Sequence, residues 1–402
     1  MAAIPRPVRL LGWASLFTDA ATEMIYPLLP VYRSRVLGAG ALSLGIIEGI
    51  AEAVNSLLKV VSGHVSDRAL RRRPIVIGGY LVSSAVRPFI AITTSWMQVL
   101  LVRALDRTGK GIRGAPRDAM LARFARASNR GRIFGFHRAM DHAGAIVGPL
   151  VASALLFAAP GEYRLVFALT VIPGAIAVAL LFLVPEPEPA AAAYPDVRRR
   201  GLAAPLPRSL WTFFAVLLLF SLGNSADAFL LLRASEALGS ATYIPLLWSA
   251  FHVVKASLST WGGALSDRLG RKRVIVVGWL IYAVVYLGFA TAASPAALVG
   301  WFLLYGVYFA LTEGAEKALV ADLAPADRHG AAFGIYNATL GGGMLAASLT
   351  FGMLYERFGA GVAFGTGAGL AAAAALALLL VRTGAGRDAK MGSSDASHSR
   401  DQ

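Results

Sequence analysis

The sequence predicts an all-α membrane protein: twelve transmembrane helices in two pseudo-symmetric six-helix bundles. Three observations carry this. Apolar stretches of bilayer-spanning length recur along the 402-residue chain, which is 56% hydrophobic and only 15% charged, with a mean hydropathy of +0.61; soluble domains do not have that composition. A short loop sequence, Gly63-His64-Val65-Ser66-Asp67-Arg68-Ala69-Leu70-Arg71-Arg72-Arg73, returns 200 residues later as Gly263-Ala264-Leu265-Ser266-Asp267-Arg268-Leu269-Gly270-Arg271-Lys272-Arg273, about half the chain away. An internal repeat of that size in an apolar protein implies two homologous membrane halves. Basic residues, finally, crowd into alternate loops.

Taken in order, the spans fall near 9–32, 41–62, 74–94, 96–120, 132–157 and 164–184, then 209–232, 241–263, 274–293, 297–320, 331–353 and 361–381. The start, with Arg6 and Arg9 before an apolar run, superficially resembles a signal peptide. The run is longer than a signal core and no small-residue cleavage site follows, so it reads as the first helix. The fourth span is so charged in its second half that hydropathy misses it; the repeat and its flanks place it. The domains are therefore a bundle over 1–184, a Pro- and charge-rich linker over 185–208, a second bundle over 209–384, and a Ser- and Asp-rich, disordered tail over 385–402. The loops carrying Arg68, Arg71–Arg73, Arg123, Arg126, Arg198–Arg200, Arg268, Arg271–Arg273 and Arg382 are expected on the cytoplasmic side, with both termini.

The net charge of +15 invites a nucleic-acid reading, but its basic residues sit mostly in short loops between apolar segments, which membrane topology explains. No nucleic-acid partner is expected; the lipid bilayer is. The absence of cysteine excludes disulfides, Cys-ligated zinc and thiol chemistry. No nucleophile–base pair or metal signature stands out, so an enzyme is not expected.

The repeated loop, Gly-x-x-x-Asp-Arg-x-Gly-Arg-Arg/Lys, resembles the loop between the second and third helices of the major facilitator superfamily. The later copy matches throughout; the earlier has Leu70 where the family prefers Gly. The resemblance spans nearly the whole chain and implies a secondary transporter that works by alternating access, normally as a monomer. It implies gate roles for Gly63, Asp67, Arg68, Gly263, Asp267 and Arg268. The glycines would allow close approach of a neighbouring helix and the aspartates would cap a helix of the opposite half. Arg68 would pair with Asp118, and Arg268 with Glu316. A role in topology alone is the competing reading.

Charges within the spans are the remaining candidates, since each is costly in a bilayer. Glu48, Glu52, Asn55 and Lys59 share an arc of roughly 60° on the second helix. Arg103, Asp106, Arg107, Lys110, Arg113, Arg117 and Asp118 share an arc of roughly 140° on the fourth. The stretch Arg107 to Ala115 resembles the family's fourth-helix motif, with Lys110 for the usual Gln and Arg113 for a small residue. Those departures predict a more cationic cavity, lined by Arg103, Arg107, Lys110 and Arg113, and an anionic or zwitterionic solute. Asp19 and Glu23, one turn apart in the first helix, resemble the acids of proton-coupled exporters; with Glu52 they are the expected proton-coupling groups, because burial disfavours an ionised carboxylate and lets it exchange a proton near neutral pH.

Gly135, Gly144, Gly148 and Pro149 in the fifth helix resemble the family's antiporter motif, which implies tight packing against the partner half. His137 and Asp141, one turn apart, admit a transition metal but more often pair with charges, so no metal is expected. Asp141, Asn224, Asp227, His252 and Lys255 are expected to line the central cavity. In the first half six intramembrane acids face seven bases, so a static network competes with a solute site. The expected function is export of a small organic solute by proton-coupled antiport in the cell's inner membrane, with the proton gradient as energy source and no cofactor. The alternatives are a proton-coupled symporter importing a small anion or nutrient, and a non-transporting membrane receptor or assembly factor.

Overall fold

The computed structural model describes residues 4–69, 71–124, 130–186, 206–325 and 329–381. Of the residues named above, most of the linker, the whole of the tail, Leu70, Arg126, Arg382 and the side chains at 63, 64, 66, 67 and 68, together with Gly135, lie outside what is described.

Among the described residues every regular element is helical. The first span is Arg6–Ile25, prolonged by the turns Tyr26–Leu28, Leu29–Val31 and Tyr32–Val36. The second, fourth and fifth are single helices: Ala41–Arg68, Trp96–Phe124 and Arg130–Ala158. The third is Arg73–Val86 with the tighter turn Arg87–Ile92. The sixth is Tyr163–Leu169 and Val171–Phe182. The eighth, ninth and tenth are Ile244–Leu269, Arg271–Thr291 and Pro295–Leu323. The last run, His329–Leu380, has 52 residues, far more than one crossing needs. Gly359, with φ of 83°, divides it into the eleventh and twelfth spans. Among the described residues eight helices are apolar enough to be recognised as spans by composition, and the first, fourth and eighth are not among them. The fourth carries the most charge, and its Arg103, Asp106, Arg107 and Arg113 are buried within the protein.

The seventh span departs from the expected continuous helix. It is broken into Arg208–Gly223 and Ala228–Leu238, with Asn224 at φ −96° and ψ 85°. Gly followed by Asn is a helix-stop signal. The break exposes backbone only where it faces the protein interior, which is where a bilayer tolerates it.

The two halves are held by different chemistry although their sequences repeat. The second half has an aromatic core: Phe220 stacks on Trp279 at 4.4 Å, and Tyr282 on Tyr286 at 4.2 Å. The first half adds a buried ionic network to its two apolar clusters. Arg103 donates to both oxygens of Glu48 at 2.9 and 3.0 Å and lies 3.8 Å from Asp106, which Arg87 also binds at 2.9 Å. Arg87 donates in addition to the Thr18 carbonyl of the first helix. One network thus ties the first four helices together.

Between the halves, the second helix packs on the eleventh and the fifth on the eighth. Gly45 lies so close to the Ser348 carbonyl that no Cβ fits there. At the same end, Glu356 accepts the Leu42 N–H at 2.8 Å, capping the second helix where its dipole favours an anion. Arg35 donates to the Gly239 carbonyl and Ser153 to that of Thr242, both at 3.0 Å. The halves are therefore closed at the end opposite the arginine-rich loops.

Two packing expectations are corrected. Gly144 and Gly148 do not meet the other half; they lie against Leu16, Asp19 and Ala20 of the first helix, within their own bundle. In the second copy of the repeated loop, Gly263 faces open space, and its neighbour Gly262 makes the close approach, to Ala310. The start of the linker is not free either: Glu186 accepts the N–H groups of Arg72 and Arg73, at 2.8 and 3.2 Å, and caps the third helix.

Candidate functional site

Between the halves lies a cavity in two chambers that share Glu52, Lys255, Phe309 and Met344. The deeper chamber is lined by Glu23 and Tyr26 of the first helix, Glu48 of the second, Arg107 of the fourth, Asp227 of the broken seventh, and Trp248, Phe251 and His252 of the eighth. The other adds Ser56, Lys59, Asn224, Tyr308, Thr312, Glu313, Glu316, Lys317 and Tyr336.

Glu23 is an acid of the deeper chamber that reaches across to the other half. It accepts the Trp248 indole N–H at 2.7 Å, and Tyr26, one turn on, packs its ring 5.2 Å from that of Trp248. Glu52 stays within its own helix, accepting from Asn55 at 2.9 Å. Asp227, placed by the helix break, accepts the Tyr305 hydroxyl at 2.6 Å. His252 sits edge-on to Trp248 and Phe251, and neither ring nitrogen has a hydrogen-bond partner among the described residues. Lys255 lies over the face of Phe309 at 4.3 Å and pairs with Glu313 at 3.2 Å.

Of the residues singled out by sequence, Glu23, Glu52, Arg107, Asn224, Asp227, His252 and Lys255 meet in this cavity. Others lie elsewhere. Arg103 is buried against Glu48 and Asp106. Arg113 turns to the third helix, over the Tyr80 ring at 4.3 Å and bonded to Ser83 at 3.0 Å. Asp19 sits at the contact of the first and fifth helices, beside Gly144, with Lys110 and Asp141 as its charged neighbours. Asp141 accepts from Ser15 and lies 3.5 Å from His137. The fourth-helix cations thus mostly turn to neighbours within their own half, and of the expected cationic cavity wall Arg107 lines the chambers.

Of the two expected latches, that of Arg68 with Asp118 falls on a side chain outside those described, and that of Arg268 with Glu316 is not formed. Asp118 pairs with its neighbour Arg117 at 3.0 Å. Glu316 is buried and accepts from Trp279 at 2.9 Å and Tyr336 at 3.1 Å, not from Arg268. Asp267 pairs with Arg271 one turn on, and Arg271 reaches Asp322 of the tenth helix at 3.5 Å. Among the described residues no three His, Asp or Glu side chains converge on a metal site.

The aromatic wall was missed in the sequence. Trp248, Phe251, His252 and Lys255 stand at i, i+3, i+4 and i+7 of the eighth helix, a shared face that was legible.

A family profile described as Major Facilitator Superfamily matches residues 11–239 and 212–397. An uncharacterized MFS-type transporter of Methanocaldococcus jannaschii is 34% identical over 359 residues, covering 88% of this chain and 89% of that one. The multidrug resistance protein MdtH of Photorhabdus laumondii is 30% identical over 133 residues, 33% of each chain. The crystal structure of a mutant of the nucleoside transporter NupG shares the fold with a TM-score of 0.79 at 14% identity, over 94% of this chain and all of that one.

Proposed function

Because the chain belongs to the major facilitator superfamily, we propose that it exports a small organic anion or zwitterion by proton-coupled antiport across the inner membrane. The observation that carries this is the bond from Trp248 to Glu23. It joins an intramembrane acid of one half to the wall of the other, inside the cavity. An ionised Glu23 accepts a charge-assisted bond that the protonated acid makes less well. Proton occupancy therefore biases how the two halves sit, which is what alternating access requires. The solute would lie between Arg107 and Lys255 as cations and Glu23, Glu52 and Asp227 as acids, against Trp248 and Phe251. The fifth-helix glycines resemble those of exporters, and the partial relative MdtH is named for multidrug resistance; both favour efflux. With the arginine-rich loops cytoplasmic, the closed end is the outer one and the cavity is loaded from within.

Everted membrane vesicles test this. An inwardly directed entry of labelled solute, driven by an imposed pH gradient and abolished by a protonophore, is expected for the wild type. Glu23→Gln removes the charge from a bond worth about 1.5–3 kcal/mol, and its transport should no longer respond to the gradient. Solute accumulation in right-side-out vesicles, moving with the proton, would establish import instead.

A further inference from the structure

We propose that Arg138 and Lys255 form a binding subsite for the carboxylate of an apolar, ring-bearing solute, and that Glu313 occupies it while the solute is absent. This rests on reading the cavity as a transport pathway.

Glu313 of the tenth helix is held by three cations from both halves. Arg138 of the fifth helix binds one oxygen at 2.6 Å, Lys255 of the eighth binds the other at 3.2 Å, and Lys317 lies 3.7 Å from the first. One carboxylate does not neutralise three cations. Asp141 approaches Arg138 only to 3.8 Å and is already engaged by Ser15 and His137. The site therefore has the geometry of a carboxylate clamp and a surplus of positive charge. Glu313 and Lys255 are only partly buried and line the cavity, so an incoming anion can reach them.

The surroundings specify more than an anion. Phe309 lies under Lys255 at 4.3 Å, and Phe251 meets Phe309 edge-on at 5.7 Å. His252, one turn before Lys255, offers two ring nitrogens that none of the described residues satisfies; a buried polar group without a partner is costly and is expected to find one in a ligand. A carboxylate on an aromatic body satisfies the cations and the ring faces together and accepts from the imidazole N–H. By taking Arg138 and Lys255 from Glu313, such a solute replaces an ion pair of the empty protein with one of its own, still bridging the halves.

The test uses the full chain in detergent with benzoate as probe, at fixed ionic strength, by calorimetry. In Glu313→Gln the internal competitor is gone, and benzoate should bind about tenfold more tightly than in the wild type, the scale expected for one charge pair released. The gain should vanish when Lys255→Gln or Arg138→Gln is added. Glu313→Asp, too short to hold both cations, should give a smaller gain and serves if the glutamine variant does not fold. Unchanged benzoate affinity in a folded Glu313 variant, or a gain that survives neutralising both cations, overturns the subsite. The binding pattern is independent of Glu23, so a protein that shows it yet exchanges no proton overturns the antiport reading alone.

Discussion

Replacing Arg103 with methionine is expected to destabilise the N-terminal half by about 3–5 kcal/mol, the cost of leaving a buried partner charge uncompensated. The guanidinium is 2% exposed and satisfies both oxygens of Glu48, itself 6% exposed. Without it, among the described residues, Glu48 stays buried with no cation at bonding distance and Asp106 keeps only Arg87 at that range. The thermal midpoint of purified protein should fall sharply, and monodisperse protein should be lost with it. The double variant Glu48→Gln/Arg103→Met should recover most of the loss, because removing both charges removes the burial cost as well. A single variant as stable as the wild type would mean that the pair is solvated in the membrane.

Two glycine substitutions should separate stability from conformation. At Gly148 a Cβ would meet the backbone of Ala20, inside the first bundle. At Gly45 it would meet the Ser348 carbonyl, across the two halves. Overpacking of this kind costs about 1–3 kcal/mol, but relief differs. Gly148→Ala can be relieved only by loosening the first and fifth helices, so it should lower the thermal midpoint. Gly45→Ala is relieved by parting the halves at their closed end, so it should leave the midpoint nearly unchanged and open that face. The chain has no cysteine, so a single Ser34→Cys beside the closure reports opening through its labelling rate. With about 1.4 kcal/mol to each factor of ten, labelling in the Gly45 variant should rise roughly tenfold or more. Equal loss of stability in both variants would show that the halves do not move independently.

Much of the fold was legible because its signals are one-dimensional. The repeated loop fixed the two halves, and that repeat placed the fourth helix against its own hydropathy. Helical spacing put Glu48 and Glu52 on one face, and both line the cavity. Spacing could not say which neighbour a side chain meets. Arg103, Arg107 and Arg113 share an arc of the fourth helix, yet one binds the second helix, one faces the cavity and one turns to the third. A wide arc touches three neighbours, and the sequence names none of them. Gly148 was misassigned for the same reason: a small residue announces close packing but not the partner. The break at Asn224 follows from Gly223 and Asn224 and was overlooked within an apolar run. The contrast between the ionic network of the first half and the aromatic core of the second is tertiary, since it depends on which repeat positions face inward together.

The measurement closest to the centre is a pH titration of Trp248 fluorescence, taken as the difference between wild type and Trp248→Phe, because the chain has seven tryptophans. If Glu23 links proton binding to the contact between halves, the wild type will show a one-proton transition in this signal. Glu23→Gln will show none. The same transition in both proteins would contradict Glu23 as the coupling acid and leave its bond to Trp248 a structural contact.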